Sequence, residues 1–307
     1  MKKVLVIGGT GFLGSAIVRE LARRPASADF CYTLPTRRRE KAKHLLVLPT
    51  VQVVDADVHD PATLAQLMAG QDVVISLVGI LKGGEGEPYG AGFARAHVEL
   101  PQKIAAAANA AGVRRVLHVS ALKAAADAPS GYLRSKAAGE AALQSVGLDL
   151  TIFRPSVIFG PGDSFLSLFA RLAKIAPLFP LAGAAARFQP IWVEDVAAAV
   201  ADSLEHAESI GAVYDLCGPT QYSLRQLVSY AAAVSGHPCA IIGLPEAVAW
   251  LQAWAMEFIP NGPMTRDNIR SMHVASVCDS GCALPFGRNA TALEVVAPTY
   301  LRPDLRD

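Results

Sequence analysis

Short apolar runs alternate with stretches of helical periodicity through the first half of the chain. The pairs are Lys3–Ile7 and a helix from Phe12; Val51–Val54 and a helix from Pro61; Asp72–Val78 and a helix over Leu100–Ala111; Arg114–Val119 and a helix from Gly131; then Leu150–Phe153. Runs such as Val73-Val74-Ile75 are apolar at consecutive positions, not at every second one, which marks strands covered on both faces. Parallel strands need crossover helices, and those helices supply the cover. The pattern therefore predicts an α/β fold built on a doubly wound parallel sheet. Asp60-Pro61 offers an N-cap followed by an N1 proline, and Gly70 and Gly112 stand where such helices end.

Beyond Arg154-Pro155 the alternation loosens, and Pro161, Pro177, Pro180, Pro190 and Pro219 break up shorter helices. This gives a first domain over residues 1–155 and a smaller second lobe over 156–307 that closes a cleft. Phe188–Val193, a helix Glu194–His206 and a strand Ala212–Leu216 restore the βα pattern, so residues 190–216 are expected to return to the sheet.

Composition narrows the class. With 307 residues, 52% hydrophobic and 18% charged, the chain can bury a large core and is not a disordered one. Its 28 Lys+Arg against 27 Asp+Glu leave a net charge of +1, without the basic field of a nucleic-acid binder. Five scattered cysteines, Cys31, Cys217, Cys239, Cys278 and Cys282, fit a reducing compartment better than a disulfide framework, so a cytoplasmic location is expected. The run Val4-Leu5-Val6-Ile7 is too short for a signal-peptide core and reads as a buried strand. The longest apolar stretch, Ile241–Ile259, contains Pro245, Glu246 and Glu257 and does not read as a membrane span.

Candidate chemistry begins where the first strand ends. Gly8-Gly9-Thr10-Gly11-Phe12-Leu13-Gly14 is a G-x-x-G-x-x-G turn between strand and helix, where a pyrophosphate can approach the main chain and the helix N-terminal amides offset its charge. That placement makes it a Rossmann-type dinucleotide loop, with Gly8, Thr10, Gly11, Phe12, Leu13 and Gly14 as expected cofactor-binding residues. Strand two ends in Thr36-Arg37-Arg38-Arg39, with no carboxylate before Glu40. Arg37 and Arg38 suit the 2′-phosphate by bidentate bonding, so NADP(H) is expected over NAD(H). The ends of further strands complete the set: Asp57 and Val58 beside the adenine, then Val78, Gly79 and Pro155.

Tyr132-Leu133-Arg134-Ser135-Lys136 places a phenol and an ammonium on one helical face. A phenol, with a pKa of about 10, exchanges a proton near neutrality only when a cation such as Lys136 stabilises its phenolate. Ser120 ends the fifth strand, at the sheet edge where such folds bind ligands, and its hydroxyl can orient a substrate carbonyl. Ser120, Tyr132 and Lys136 are the candidate catalytic residues, Lys136 binding ribose as well.

Gly8, Gly11, Gly14, Ser120, Tyr132 and Lys136, in this βα order, resemble the short-chain dehydrogenase/reductase superfamily. Arg154-Pro155-Ser156-Val157-Ile158-Phe159-Gly160-Pro161 and Gln189-Pro190-Ile191-Trp192-Val193-Glu194-Asp195-Val196 look like its extended branch. His118-Val119-Ser120-Ala121-Leu122, Gly131-Tyr132-Leu133-Arg134-Ser135-Lys136, Asp163-Ser164-Phe165-Leu166 and Thr265-Arg266-Asp267-Asn268 resemble the atypical group that contains the nucleotide-binding accessory subunit of mitochondrial complex I and its bacterial relatives. The resemblance runs to about Pro303. It implies bound NADP(H) and a reductase-like pocket, hence a carbonyl reductase with Tyr132 as general acid. It also implies an alternative, a non-catalytic accessory or assembly factor of respiratory complex I or of ubiquinone biosynthesis. An NAD-dependent epimerase/dehydratase ranks third, because Ala121 follows Ser120 without the Ser-Ser doublet and Val-Tyr-Gly that resemble sugar-nucleotide epimerases.

His273, Cys278 and Cys282 lack the paired spacing of a metal site, and no metal is expected. His118, inside an apolar strand, reads as a core histidine with its hydrogen bonds satisfied. Two apolar helices, Phe165–Ala176 and Leu244–Ile259 with Trp250, Trp254 and Phe258 at helical spacing, read either as core of the second lobe or as an amphipathic surface for a respiratory complex or the cytoplasmic face of the inner membrane.

Overall fold

The computed structural model describes residues 1–175, 177–259, 262–279 and 283–302, the side chains of Ala26 and Lys41 excepted. In chain order β1 (Lys2–Ile7) turns into α1 (Phe12–Arg23), followed by β2 (Phe30–Thr36), β3 (Val51–Asp55), α2 (Pro61–Met68) and β4 (Val73–Ser76). A single turn, α3 (Ala91–Phe93), continues through a π-helical stretch, Ala94–Glu99, into α4 (Leu100–Ala111), β5 (Arg115–Val119), α5 (Gly131–Gln144) and β6 (Asp149–Pro155). Then come β7 (Ile158–Phe159), α6 (Leu166–Ala173), β8 (Leu178–Leu181), β9 (Arg187–Phe188), β10 (Ile191–Trp192), α7 (Val193–Asp202) and β11 (Val213–Leu216). The second lobe closes with β12 (Tyr222–Ser223), α8 (Leu224–Val234), β13 (Ala240–Gly243), α9 (Glu246–Glu257), α10 (Arg266–Met272) and two short turns, α11 (Leu293–Val296) and α12 (Pro298–Leu301).

The main sheet is the predicted parallel one, with seven strands in the order β11-β6-β5-β4-β1-β2-β3. Val4 and Val6 point into the core under α1 and α7, while Leu5 and Ile7 point into the core under α2 and α4. Burial on both faces is why the run is unbroken. Strand order reverses at β1, so the crevice beyond the strand ends opens between β1 and β4. There the backbones nearly touch: a Cβ on Gly8 would stand 3.2 Å from main-chain atoms of Leu77 and Val78.

Two expectations are corrected. Of the strands expected over 188–216, only β11 joins the main sheet; β10 pairs with β7, and β9 with β12. Pro190, which lacks the amide a central ladder needs, separates β9 from β10. The intervening α7 does return, packing on α1 with Arg24 to Asp202 at 2.7 Å and Arg19 to Glu194 at 3.1 Å. The cysteines are not all free thiols. Cys217, just past β11, is bonded to Cys278, past α10, with Cα atoms 6.1 Å apart. Cys31 and Cys239 are free, and Cys282 lies outside the described residues, as does the end of the family resemblance at Pro303.

The first of the two apolar helices is core: Phe165 and Phe169 pack with Phe188 and Leu227. The second divides, with Ala249 and Ala253 of α9 buried and its other face in solvent. Among the described residues no helix is long and apolar enough to cross a membrane.

Candidate active site

The expected nucleotide residues line the C-terminal edge of the sheet, one strand end after another. Gly8 takes φ +89°, a conformation open to glycine, and its carbonyl accepts the Gly11 amide at 3.1 Å. A Cβ on Gly14 would lie 2.2 Å from that same carbonyl, so the turn closes only around glycine. Gly11 caps α1, Phe12 and Leu13 form its half-buried first turn, and Thr10 reaches Thr36 at the end of β2, Oγ1 to Oγ1 3.4 Å. Arg37 and Arg38 follow β2 exposed to solvent, and among the described residues neither guanidinium has an ion pair. Asp57, past β3, spends one carboxylate oxygen on the His59 amide at 3.0 Å, with Val58 half-buried beside it. The residues thus form a cradle with a helix N-terminus and free guanidiniums, which fits a dinucleotide.

Lys136 completes the edge between β4 and β5. Its buried ammonium donates to the Val119 carbonyl at 3.2 Å and the Val78 carbonyl at 3.5 Å, and a Cβ on Gly79 would stand 3.3 Å from it. Burial lowers this ammonium to about 8, opposed by the carboxylate of Glu140 one turn away, itself paired with Arg154. Ser120, the residue after Val119, is buried and its hydroxyl has no partner among the described residues. Pro155 ends the neighbouring β6, where its carbonyl accepts the Leu122 amide at 3.0 Å. Burial alone pushes the Tyr132 phenol up to about 12. The expected lowering by Lys136 is not met in this arrangement, because that ammonium is turned to main-chain carbonyls.

Two side chains that position the Tyr132 helix, His97 and Asp267, were not singled out from the sequence. His97 lies on the π-helical stretch, a wide turn often found at functional sites. Its Nε2 accepts the Ile80 amide at 3.0 Å, so Nδ1 carries the proton and donates to Ser135 Oγ at 2.9 Å, and Ser135 donates on to the Tyr132 carbonyl at 2.7 Å. The His97 ring also stands edge-on to the Tyr132 ring, 5.6 Å between centroids. This chain fastens the loop after β4 to the Tyr132 helix. Gly139 permits the approach, since a Cβ there would be 2.2 Å from the His97 carbonyl. Asp267 of α10, buried in the second lobe, accepts the Gly131 amide at 2.7 Å and the Tyr132 amide at 3.0 Å, capping α5 from across the cleft. In the sequence Asp267 stands only within the Thr265-Arg266-Asp267-Asn268 motif of the family resemblance; in the fold Thr265 and Asn268 form the capping box of α10.

One further reading is corrected. His118 is buried as expected, but neither ring nitrogen has a partner among the described residues. Burial, then the nearby Lys136 charge, lowers it to about 3, and the same causes with His118 added lower His97 to about 2. Both rings are neutral.

A doubly wound sheet with a glycine turn at its switch point, Ser120 just past β5 and the Tyr132–Lys136 pair on α5 defines a dinucleotide-binding protein of the Rossmann type. The chain belongs to the NAD(P)H-binding family, which matches residues 8–164. It is 31% identical to NADH dehydrogenase [ubiquinone] 1 alpha subcomplex subunit 9, mitochondrial, of Rattus norvegicus over 313 residues, 97% of this chain and 79% of that protein. It is 34% identical to a ceramide reductase of Caulobacter vibrioides over 260 residues, 82% of this chain and 78% of that protein. An NADPH-dependent quinone oxidoreductase from Escherichia coli, solved with NADPH, shares the fold with a TM-score of 0.74 at 23% identity, covering 94% of this chain and 96% of that one.

Proposed function

We propose that the protein is an NADP(H)-dependent carbonyl reductase that uses Ser120, Tyr132 and Lys136. The observation that carries this reading is the buried Lys136 ammonium set between the ends of β4 and β5, with the unpartnered Ser120 hydroxyl on the next residue. Bound NADPH supplies hydride. The Tyr132 phenol, protonated throughout the neutral range, is the proton donor to the carbonyl oxygen, and Ser120 orients that oxygen. Lys136 spends two of its three N–H donors on Val78 and Val119, which leaves one for a ribose hydroxyl. Arg37 and Arg38, exposed just past Thr36 and without an ion pair among the described residues, support NADP(H) over NAD(H). A relative named as a reductase supports the same direction.

Tyr132→Phe should lower carbonyl-dependent NADPH oxidation by about 100-fold or more while NADPH binding stays at the wild-type level. The likeness to complex I subunit 9, over nearly the whole chain, favours a second reading in which the nucleotide is a fixed cofactor of an accessory or assembly factor. On that reading Tyr132→Phe is indistinguishable from wild type in cells and the tagged protein migrates with complex I in native fractionation. Both readings carry a cytoplasmic location, free or peripheral on the inner membrane, against which the Cys217–Cys278 bond counts, and the same fractionation checks it.

A further inference from the structure

A cavity of about 410 Å³ opens between residues 82–85 of the loop after β4, the end of α9 and the start of α10, within the roughly 300–1,000 Å³ usual for small-molecule sites. Asp267, which holds the Gly131 and Tyr132 amides, lines one wall, and Phe93, whose ring meets the Tyr132 ring edge-on at 5.9 Å, lines another. Met256, Phe258, Ile259 and Met264 supply its apolar lining, and Lys82, Glu85, Glu257 and Thr265 its polar part. At the mouth Phe258 is 72% and Ile259 56% exposed. The apolar surface continues from Phe258 along the outer face of α9, through Trp254 at 5.1 Å ring to ring, to Leu251 and Val248, all exposed. The rim carboxylates are neutralised, Glu257 by Arg266 and Glu85 by Arg270, each at 2.9 Å.

An uncovered apolar stripe of this length marks a binding surface. The cavity it leads into shares Asp267 and Phe93 with the surroundings of Tyr132, which favours part of the substrate itself as its occupant. Resting on the reductase reading above, we propose that the substrate is a carbonyl compound bearing a long unbranched apolar chain, its carbonyl at Tyr132 and its chain leaving through this cavity onto α9. Bound NADPH would supply the hydride taken up at the carbonyl carbon, while Tyr132 passes a proton to the oxygen and regains one from solvent, so that the product is an alcohol.

The test uses the NADPH-bound protein and straight-chain methyl ketones from butanone through octan-2-one to tetradecan-2-one, kept below their aggregation limits. Binding is read from tryptophan fluorescence, to which Trp254 contributes, and turnover from NADPH absorbance. Kd should fall roughly three- to fourfold per added methylene until the cavity is filled, with kcat/KM following. Phe258→Ser combined with Ile259→Ser, both outside the core, should flatten that dependence and leave NADPH affinity unchanged. Length-dependent binding without turnover keeps the chain site and removes the reductase reading. Turnover without length dependence keeps the reductase reading and overturns the chain site. Binding at no length also overturns it, as does adsorption to phosphatidylcholine vesicles that Phe258→Ser abolishes with no length dependence, the last marking a membrane-docking face.

Discussion

Acidifying the nucleotide-free protein from pH 7 to pH 5 should cost about 4 kcal/mol of stability through His97 and His118 alone. In the unfolded chain each imidazole titrates near 6.5. In the fold they stand at about 2 and about 3, lowered first by burial and then by Lys136. A depressed folded value means the unfolded state binds more protons, so stability is present above about 6.5 and is lost as pH falls below it. Integrated over that window, each ring contributes about 2 kcal/mol. Lys136, at about 8, stays charged in both states and adds nothing to the slope. His118→Leu separates the two contributions. It should remove about half of the acid loss and leave stability at pH 7 within about 1 kcal/mol of wild type or above it, because neither nitrogen is hydrogen-bonded among the described residues. Urea denaturation of both proteins at pH 7, 6 and 5 reads this directly. A variant that keeps the full acid slope, or loses more than about 2 kcal/mol at pH 7, means that the ring has partners and the reasoning fails.

Arg37→Ala should weaken NADPH binding about tenfold and NADH binding hardly at all, since a charge-assisted bond to the 2′-phosphate is lost; equal losses in paired titrations reject the phosphate role. Gly139→Ala puts a methyl 2.2 Å from the His97 carbonyl, so α5 and the π-helical stretch must part. A loss of roughly 1–3 kcal/mol in thermal or urea denaturation is expected, and an unchanged midpoint would show that this contact yields freely.

The inner strands β1, β4, β5 and β6 were legible because they are buried on both faces, and burial writes itself into consecutive residues such as Val73-Val74-Ile75. The glycine turn and the Tyr132-Lys136 pair were legible because their members are neighbours on one local element. His97 was not, since its role depends on an amide in the loop after β4 and a hydroxyl on α5. Asp267 serves a helix that begins at Gly131, and Cys217 meets Cys278 across 61 residues, so spacing held no signal for either. The unsatisfied His118 differs again: an apolar strand predicts burial, but not whether the packed neighbours offer a hydrogen bond.

The seating of β11 beside β6 bears on how the chain is made. Synthesis runs from the N-terminus, yet the ladder that covers β6 is supplied by Val213–Leu216, and the helix that covers α1 by Val193–Asp202. A nascent chain ending near residue 190 therefore presents a bare strand edge and the apolar flank of its first helix together. Until the ribosome has released residue 216 the growing protein depends on chaperones or speed, and a slow codon cluster in that interval should raise aggregation more than one placed after it.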